Sequence, residues 1–341
     1  MTTINVGIIG AGRIGQLHAS NILNSNLLNL NAIADIHTDH LKGTIYEREV
    51  PMITNEPERV LEDPEIDAVF ICSSTDSHIR FIKAAAKAGK HILCEKPISF
   101  NLEETKEVLQ VINEAGVKFQ VGFNRRFDKH FRKVAETVQE GKIGNPHIIK
   151  VSSRDPEPPP EEYIAGSGGM FMDMTIHDFD MMRYLSGSEV TEVSVKAANL
   201  VDPMFARKGD VDTAIITLTF ENGAMGVIDN SRQAVYGYDQ RIEVFGDQGA
   251  VAADNEAQTN VQISTQNAIT IDQPKYFFLD RYKDAYEDEI NEFATAILED
   301  KPLLCTADDG YKAELMANAA KLSWEEQRSV SLAEFHLVHK I

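Results

Sequence analysis

The sequence predicts an α/β fold in two parts: an N-terminal doubly wound parallel sheet, then a second domain built on an antiparallel meander with helices. Three observations carry this. From Ile4 to about Gly122, apolar strand-like runs alternate with helical patterns. The first run leads straight into Gly10-Ala-Gly12-Arg-Ile-Gly15, with Asp35 twenty residues after the last glycine. Beyond Gly122 the rhythm changes to consecutive β-patterned runs joined by short turns.

In the first domain, residues 1–122, strands are expected at 6–9, 30–34, 68–72, 91–94 and 119–121. Helices are expected at 78–88 and 102–115, the second opened by Asn101 as N-cap with Glu103 and Glu104 in its first turn. The second domain, residues 123–341, begins with a helix at 129–140 and a strand at 147–153. Four prolines in the five positions 156–160 allow neither strand nor helix, so this is a loop or lid edge. A helix from near Met172 follows, then strands at 190–199, 213–220, 224–230, 240–245 and 249–253, with Glu221-Asn-Gly223 as one of the turns. Helices at 285–298 and 307–326 close the chain, with a short strand or tail after Ser331. If helices cover one face of the second sheet, its other face invites a partner subunit, the alternative being a polar, solvated face.

Each glycine of the first motif has a job in holding a dinucleotide. Gly10 allows the tight strand-to-helix turn, Gly12 lets the backbone approach a pyrophosphate, and Gly15 permits close helix–strand packing. An acid at the end of the second strand accepts from both adenosine ribose hydroxyls and repels a 2′-phosphate, so Asp35 argues for NAD over NADP. Ligands of such sheets bind beyond the carboxyl ends of the strands, where Ser73-Ser74-Thr75 and Glu95-Lys96-Pro97 fall. The expected cofactor-facing set is Gly10, Gly12, Arg13, Ile14, Gly15, Asp35, Ser73, Thr75, His78 and Glu95.

The composition excludes several classes. With 53 acids against 33 bases and a formal charge of −20, the surface repels nucleic acid and anionic membrane. Cys72, Cys94 and Cys305 are too few and scattered for a disulfide framework or zinc site, and no metal is expected. No basic n-region or long apolar segment marks the N-terminus, and a cytoplasmic location is expected.

Lys96 follows a strand end where a nicotinamide would lie, and the proline after it limits its direction. Its ammonium can bond a substrate hydroxyl and stabilise developing negative charge; the alternative is a surface lysine paired with Glu95. Asp173 and His177 are four apart in a helix-patterned segment, so the carboxylate can approach the imidazole and make His177 a general base. The alternative is a histidine satisfied in a core. Arg126, Asp155 and Tyr236 can bind neighbouring hydroxyls of a polyol or sugar ring, or serve as ion pairs and sheet surface.

Taken together, Gly10–Gly15, Ala88-Gly89-Lys90-His91 with Glu95-Lys96-Pro97, Gly122-Phe123-Asn124-Arg125-Arg126-Phe127-Asp128, and Asp173-xxx-His177 resemble the glucose-fructose oxidoreductase/inositol dehydrogenase family over essentially the whole chain. The segments from Gly168 to Asp180 and from Tyr236 to Arg241 most resemble its inositol 2-dehydrogenases. The resemblance implies a Rossmann domain, a C-terminal α/β domain with an open, largely antiparallel sheet, and a homotetramer joined through those sheets. It also implies NAD-dependent oxidation of the 2-hydroxyl of myo-inositol to a 2-ketoinositol, with Lys96, Asp173 and His177 catalytic. The substrate set is then Lys96, Arg126, Asp155, Asp173, His177 and Tyr236. Oxidation of scyllo-inositol or another sugar, and a sensor that binds NAD without turnover, are the alternatives.

Overall fold

Residues 3–337 are described by the computed structural model. The chain opens β1 (Ile4–Ile9), α1 (Arg13–Asn24), β2 (Leu28–Ala34), α2 (Ile45–Glu49), β3 (Met52–Thr54), α3 (Pro57–Glu62) and β4 (Ala68–Ile71). It continues α4 (Thr75–Lys87), β5 (His91–Cys94), α5 (Leu102–Ala115) and β6 (Phe119–Val121). The six strands form a parallel sheet in the order β3-β2-β1-β4-β5-β6. Their runs are apolar because helices cover both faces; all of β4 is buried. Asn101 caps α5 through the Glu103 N–H, as its position implies, and Gly116 ends it at φ 66°. The short elements α2, β3 and α3 had no periodic signal, and α4 begins at Thr75, three residues ahead of the expected start.

Next come α6 (Lys129–Gln139), β7 (Pro146–Arg154), α7 (Glu161–Gly166), α8 (Gly169–Asp173), α9 (Thr175–Ser186), β8 (Val190–Ala198) and α10 (Pro203–Arg207). Then follow β9 (Thr213–Phe220), β10 (Met225–Ser231), β11 (Asp239–Gly246), β12 (Gly249–Ala253) and a hairpin of β13 (Gln262–Ser264) and β14 (Ile269–Ile271). The last elements are α11 (Phe278–Arg281), α12 (Lys283–Leu298), α13 (Ala307–Glu326), β15 (Val330–Ser331) and α14 (Glu334–Leu337). The short strand or tail expected after Ser331 is corrected: the strand, β15, ends at Ser331 and pairs with β8, and α14 follows it; residues 338–341 lie outside the described residues.

The second sheet runs β12-β11-β7-β10-β9-β8-β15 and is mostly antiparallel. The expected meander is corrected in one respect: β7 is inserted at the centre, antiparallel to β11 and parallel to β10. Its Ile149, Val151 and Ser153 are buried, which a central strand achieves and an isolated leading strand cannot. Along β9, Ala214, Ile216, Leu218 and Phe220 are buried while Ile215, Thr217 and Thr219 are exposed, so one face is covered and the other open. Ile215, Met225 and Phe245 are large apolar residues exposed on these strands. The single helix expected from Met172 is two, α8 and α9, with Met174 (φ −95°, ψ −58°) between them.

The chain forms two compact units: Met1–Phe127 with Asp284–Glu314, and Asp128–Lys283 with Leu315–Ile341. A single cut after residue 122 is therefore replaced by a chain that returns to its first unit. The cause is burial: Ile290, Phe293 and Ala294 of α12 enter the same core as Val6, Ile8, Phe70 and Leu93.

Candidate active site

In the first unit, the glycine motif sits on the turn from β1 into α1. Gly10 has φ 97°, and a Cβ there would lie 2.5 Å from the Ser73 nitrogen. A Cβ on Gly15 would lie 1.9 Å from the Gly10 carbonyl oxygen, so only glycine allows this helix–turn approach. Gly12 differs: its φ is −68° and nothing lies within 4 Å of its notional Cβ. It is the N-cap of α1 and no side chain caps that helix, so the N–H groups of Arg13, Ile14 and Gly15 at the first turn are offered outward. An open, uncapped helix start beside a residue without a side chain fits a pyrophosphate.

Asp35 follows β2, and its carboxylate accepts from the Ala11 N–H at 2.6 Å and the His37 N–H at 2.8 Å. His40 Nε2 lies 3.0 Å from the Ala11 carbonyl oxygen. The acid expected to read the ribose thus also holds the glycine turn, a second task that spacing did not reveal.

His78, expected to face the cofactor, is buried and ties two strand-end loops together. Its Nδ1 lies 2.9 Å from the Pro97 carbonyl oxygen and its Nε2 3.0 Å from that of Ser73. Burial holds its pKa below the ordinary histidine value, and a neutral ring donates to one of these carbonyls at a time. Ser73 Oγ and Ser77 Oγ are 2.6 Å apart, and Thr75 begins α4. Glu95 turns to His18, with Oε1 3.1 Å from Nε2. Lys96, half-buried, stands at the carboxyl end of β5 before a cis Pro97. Behind it, Glu314 accepts from the Ile98 N–H at 2.6 Å, the Ser99 N–H at 3.1 Å and the Thr105 hydroxyl at 2.6 Å. Burial raises the Glu314 pKa to about 8. Arg126 is buried, donating to the Leu304 carbonyl at 2.7 Å and to Asp309 at 2.9 Å, which commits it to the packing of this unit.

In the second unit, every residue from 170 to 182 is buried except His177, which is half-exposed. A single polar side chain surfacing from an otherwise buried run is well placed to meet a ligand. The rigidity beneath it comes from Thr175, whose hydroxyl donates to Asn230 Oδ1 at 2.6 Å, and Asp178, which accepts from Asn230 Nδ2 at 2.8 Å. Asp173 accepts from the Tyr163 hydroxyl at 2.8 Å and from Arg232 Nη2 at 2.9 Å. Arg232 Nη1 also donates to Asp155 at 3.2 Å, so one guanidinium joins two of the expected substrate residues. Burial disfavours the Arg232 charge, but Asp173 and Asp155 more than offset this and its pKa lies above the usual arginine value. Burial, with Asp173 beside it, likewise pushes the Tyr163 phenol up. Neither Tyr163 nor Arg232 was found from the sequence; the available signal was their position, one after the proline run and one directly after a strand. Tyr236 donates to Asp239 at 2.6 Å and accepts from Arg154 at 2.9 Å, a network with Asp229 on the sheet. Among the described residues no helix is long and apolar enough to cross a membrane, and no cluster of three or more His, Cys, Asp or Glu is arranged to hold a metal.

Comparison with known proteins matches residues 4–123 to an oxidoreductase family with an NAD-binding Rossmann fold and residues 131–252 to the GFO/IDH/MocA C-terminal domain. The chain is 56% identical over 94% of its length, and 94% of the relative's, to the uncharacterized oxidoreductase YrbE of Bacillus subtilis. It is 46% identical to a myo-inositol 2-dehydrogenase of Thermotoga maritima, covering 97% of this chain and 99% of that one. The crystal structure of a myo-inositol dehydrogenase from Corynebacterium glutamicum superposes with a TM-score of 0.91 at 38% identity, covering 97% of this chain and 99% of that one.

Proposed function

The chain belongs to the Gfo/Idh/MocA family of NAD-binding oxidoreductases, of the inositol dehydrogenase type, and from that premise we propose that it is an inositol 2-dehydrogenase. The reaction proposed is oxidation of the 2-hydroxyl of myo-inositol to the 2-ketoinositol. NAD, when bound, accepts the hydride. The protein's own residues manage the proton and the oxygen. His177 takes the hydroxyl proton, with Asp173 supplying the negative charge that favours the imidazolium. Lys96 donates a hydrogen bond to the same oxygen and stabilises it as the proton leaves. Asp155 accepts from a neighbouring ring hydroxyl. Arg126 and Tyr236 are left out, because their polar groups are engaged with Asp309 and Asp239.

The observation that carries the reading is the half-exposed His177 in a buried run, four residues after an aspartate anchored by Arg232 and Tyr163. Relatives named for action on myo-inositol support the substrate. The test follows NADH absorbance with purified protein, NAD and a panel of inositols and sugars. Turnover is expected with myo-inositol above all others. NADH with no polyol would replace this reading by a binding protein without turnover, and a stronger response to another isomer would reassign the substrate. We further propose a homotetramer closed over the exposed sheet face with Ile215, Met225 and Phe245. A monomer mass at micromolar concentration would overturn that assembly.

A further inference from the structure

Among the described residues β7 and β10 are the one parallel pair in the second sheet, with Arg154 opposite Ser231 at their shared end. The next residue of each strand is therefore delivered to the same place: Asp155 from β7 and Arg232 from β10. The backbone binds them there, Asp155 N–H to the Ser231 carbonyl at 2.9 Å and Ala234 N–H to the Asp155 carbonyl at 2.6 Å. Asp173, at the last position of α8, completes the group from another direction.

The burial is graded. The Arg232 side chain is 4% exposed, that of Asp173 10% and that of Asp155 24%, so the cation lies beneath two carboxylates that reach further toward solvent. Burying a guanidinium is expensive, and here its Nε has no hydrogen-bond partner among the described residues. Buried ion pairs are a poor source of stability, since apolar side chains of similar volume often serve as well. What an apolar group cannot do is hold two acids in register.

We propose that Arg232 is a positioning residue, a buried clamp that fixes the carboxylates of Asp155 and Asp173 as paired hydrogen-bond acceptors for adjacent hydroxyls of a cyclic polyol. This rests on the inositol dehydrogenase reading above. Two neighbouring carboxylates without a cation repel, and one takes up a proton and becomes a donor. With Arg232 between them both stay acceptors, and the Tyr163 hydroxyl occupies the other oxygen of Asp173. Asp210 is the further charged group acting on Arg232; its Oδ1 accepts from the Met170 N–H at the start of α8.

The test compares the wild type with Arg232→Met and Arg232→Lys, measuring initial rates against myo-inositol at saturating NAD over a range of pH. Misplacement of the acids in Arg232→Met should raise the inositol KM and lower kcat, reducing kcat/KM by about 10- to 100-fold, with the NAD KM within a factor of about two. Loss of the cation raises the carboxylate pKa values, so the acidic limb of kcat/KM should move to higher pH, and Arg232→Lys should move it back. A purely structural arginine would lower thermal stability and leave that limb in place. If Arg232→Met does not fold, Asp155→Asn keeps the Arg232–Asp173 pair and should raise the inositol KM alone. An active wild type whose Arg232→Met variant folds and keeps both the limb and the inositol KM, or, where that variant does not fold, whose Asp155→Asn variant keeps the inositol KM, would overturn the clamp. A wild type that makes no NADH from any inositol would instead overturn the reading beneath it, and the clamp with it.

Discussion

Replacing Gly12 by alanine separates cofactor binding from folding. Gly12 has φ −68° and no atom within 4 Å of the new methyl, so the folded chain accepts alanine without strain. The smaller entropy of the unfolded chain favours alanine by about 0.4–1 kcal/mol, and the poorer N-cap that alanine makes for α1 opposes this, so stability should change little. The space that admits the methyl is the space a pyrophosphate would enter to reach the N–H groups of α1. Withdrawing two charge-assisted hydrogen bonds, at about 1.5–3 kcal/mol each, weakens NAD by about 3–6 kcal/mol, or roughly 10²- to 10⁴-fold. Gly15→Ala is the control with the opposite cause. Its Cβ would lie 1.9 Å from the Gly10 oxygen, where ordinary contact begins at 3.4 Å, so the turn must shift and stability falls together with affinity. Titration calorimetry with NAD and thermal unfolding of both variants make the comparison. Wild-type NAD affinity in a normally stable Gly12→Ala protein would refute the approach of phosphate to this backbone.

His177→Ala should lower turnover by about 10²- to 10⁴-fold in the NADH assay while calorimetry finds NAD binding nearly intact; unchanged turnover would remove the general base. Asp35→Ser should weaken NAD and relieve repulsion of NADP, and because it also releases the Ala11 N–H, the gain in NADP should be smaller than the loss of NAD. Equal cofactor preference before and after substitution would show that Asp35 does not read the ribose. Phe293→Ala removes a fully buried ring from the first unit's core and should cost about 3–5 kcal/mol in denaturant unfolding. Glu314 binds its proton more tightly folded than unfolded, so its contribution to stability is greatest below the ordinary value of 4.5 and is lost as pH rises through about 8. Glu314→Gln should therefore flatten the decline of the melting temperature across that window, and parallel wild-type and variant curves would contradict the assignment.

The sequence by itself determined whatever depends on neighbours a few residues away. The turn at Gly10, the uncapped start of α1, the Asn101 cap and the alternation along β9 are local consequences of backbone freedom, capping and side-chain period. The exposure of His177 belongs partly here, since its pattern was legible but its buried surroundings were not. Tertiary structure alone decided what meets across long separations. The insertion of β7 between β10 and β11, the return of α12 to the first unit and the clamp of Arg232 on Asp155 and Asp173 join residues 59 to more than 200 positions apart. Strand partners are chosen by which faces can be buried together, and a buried charge finds its partner only after that choice. The periodicity of a segment reports which face is apolar and carries no record of what will cover it.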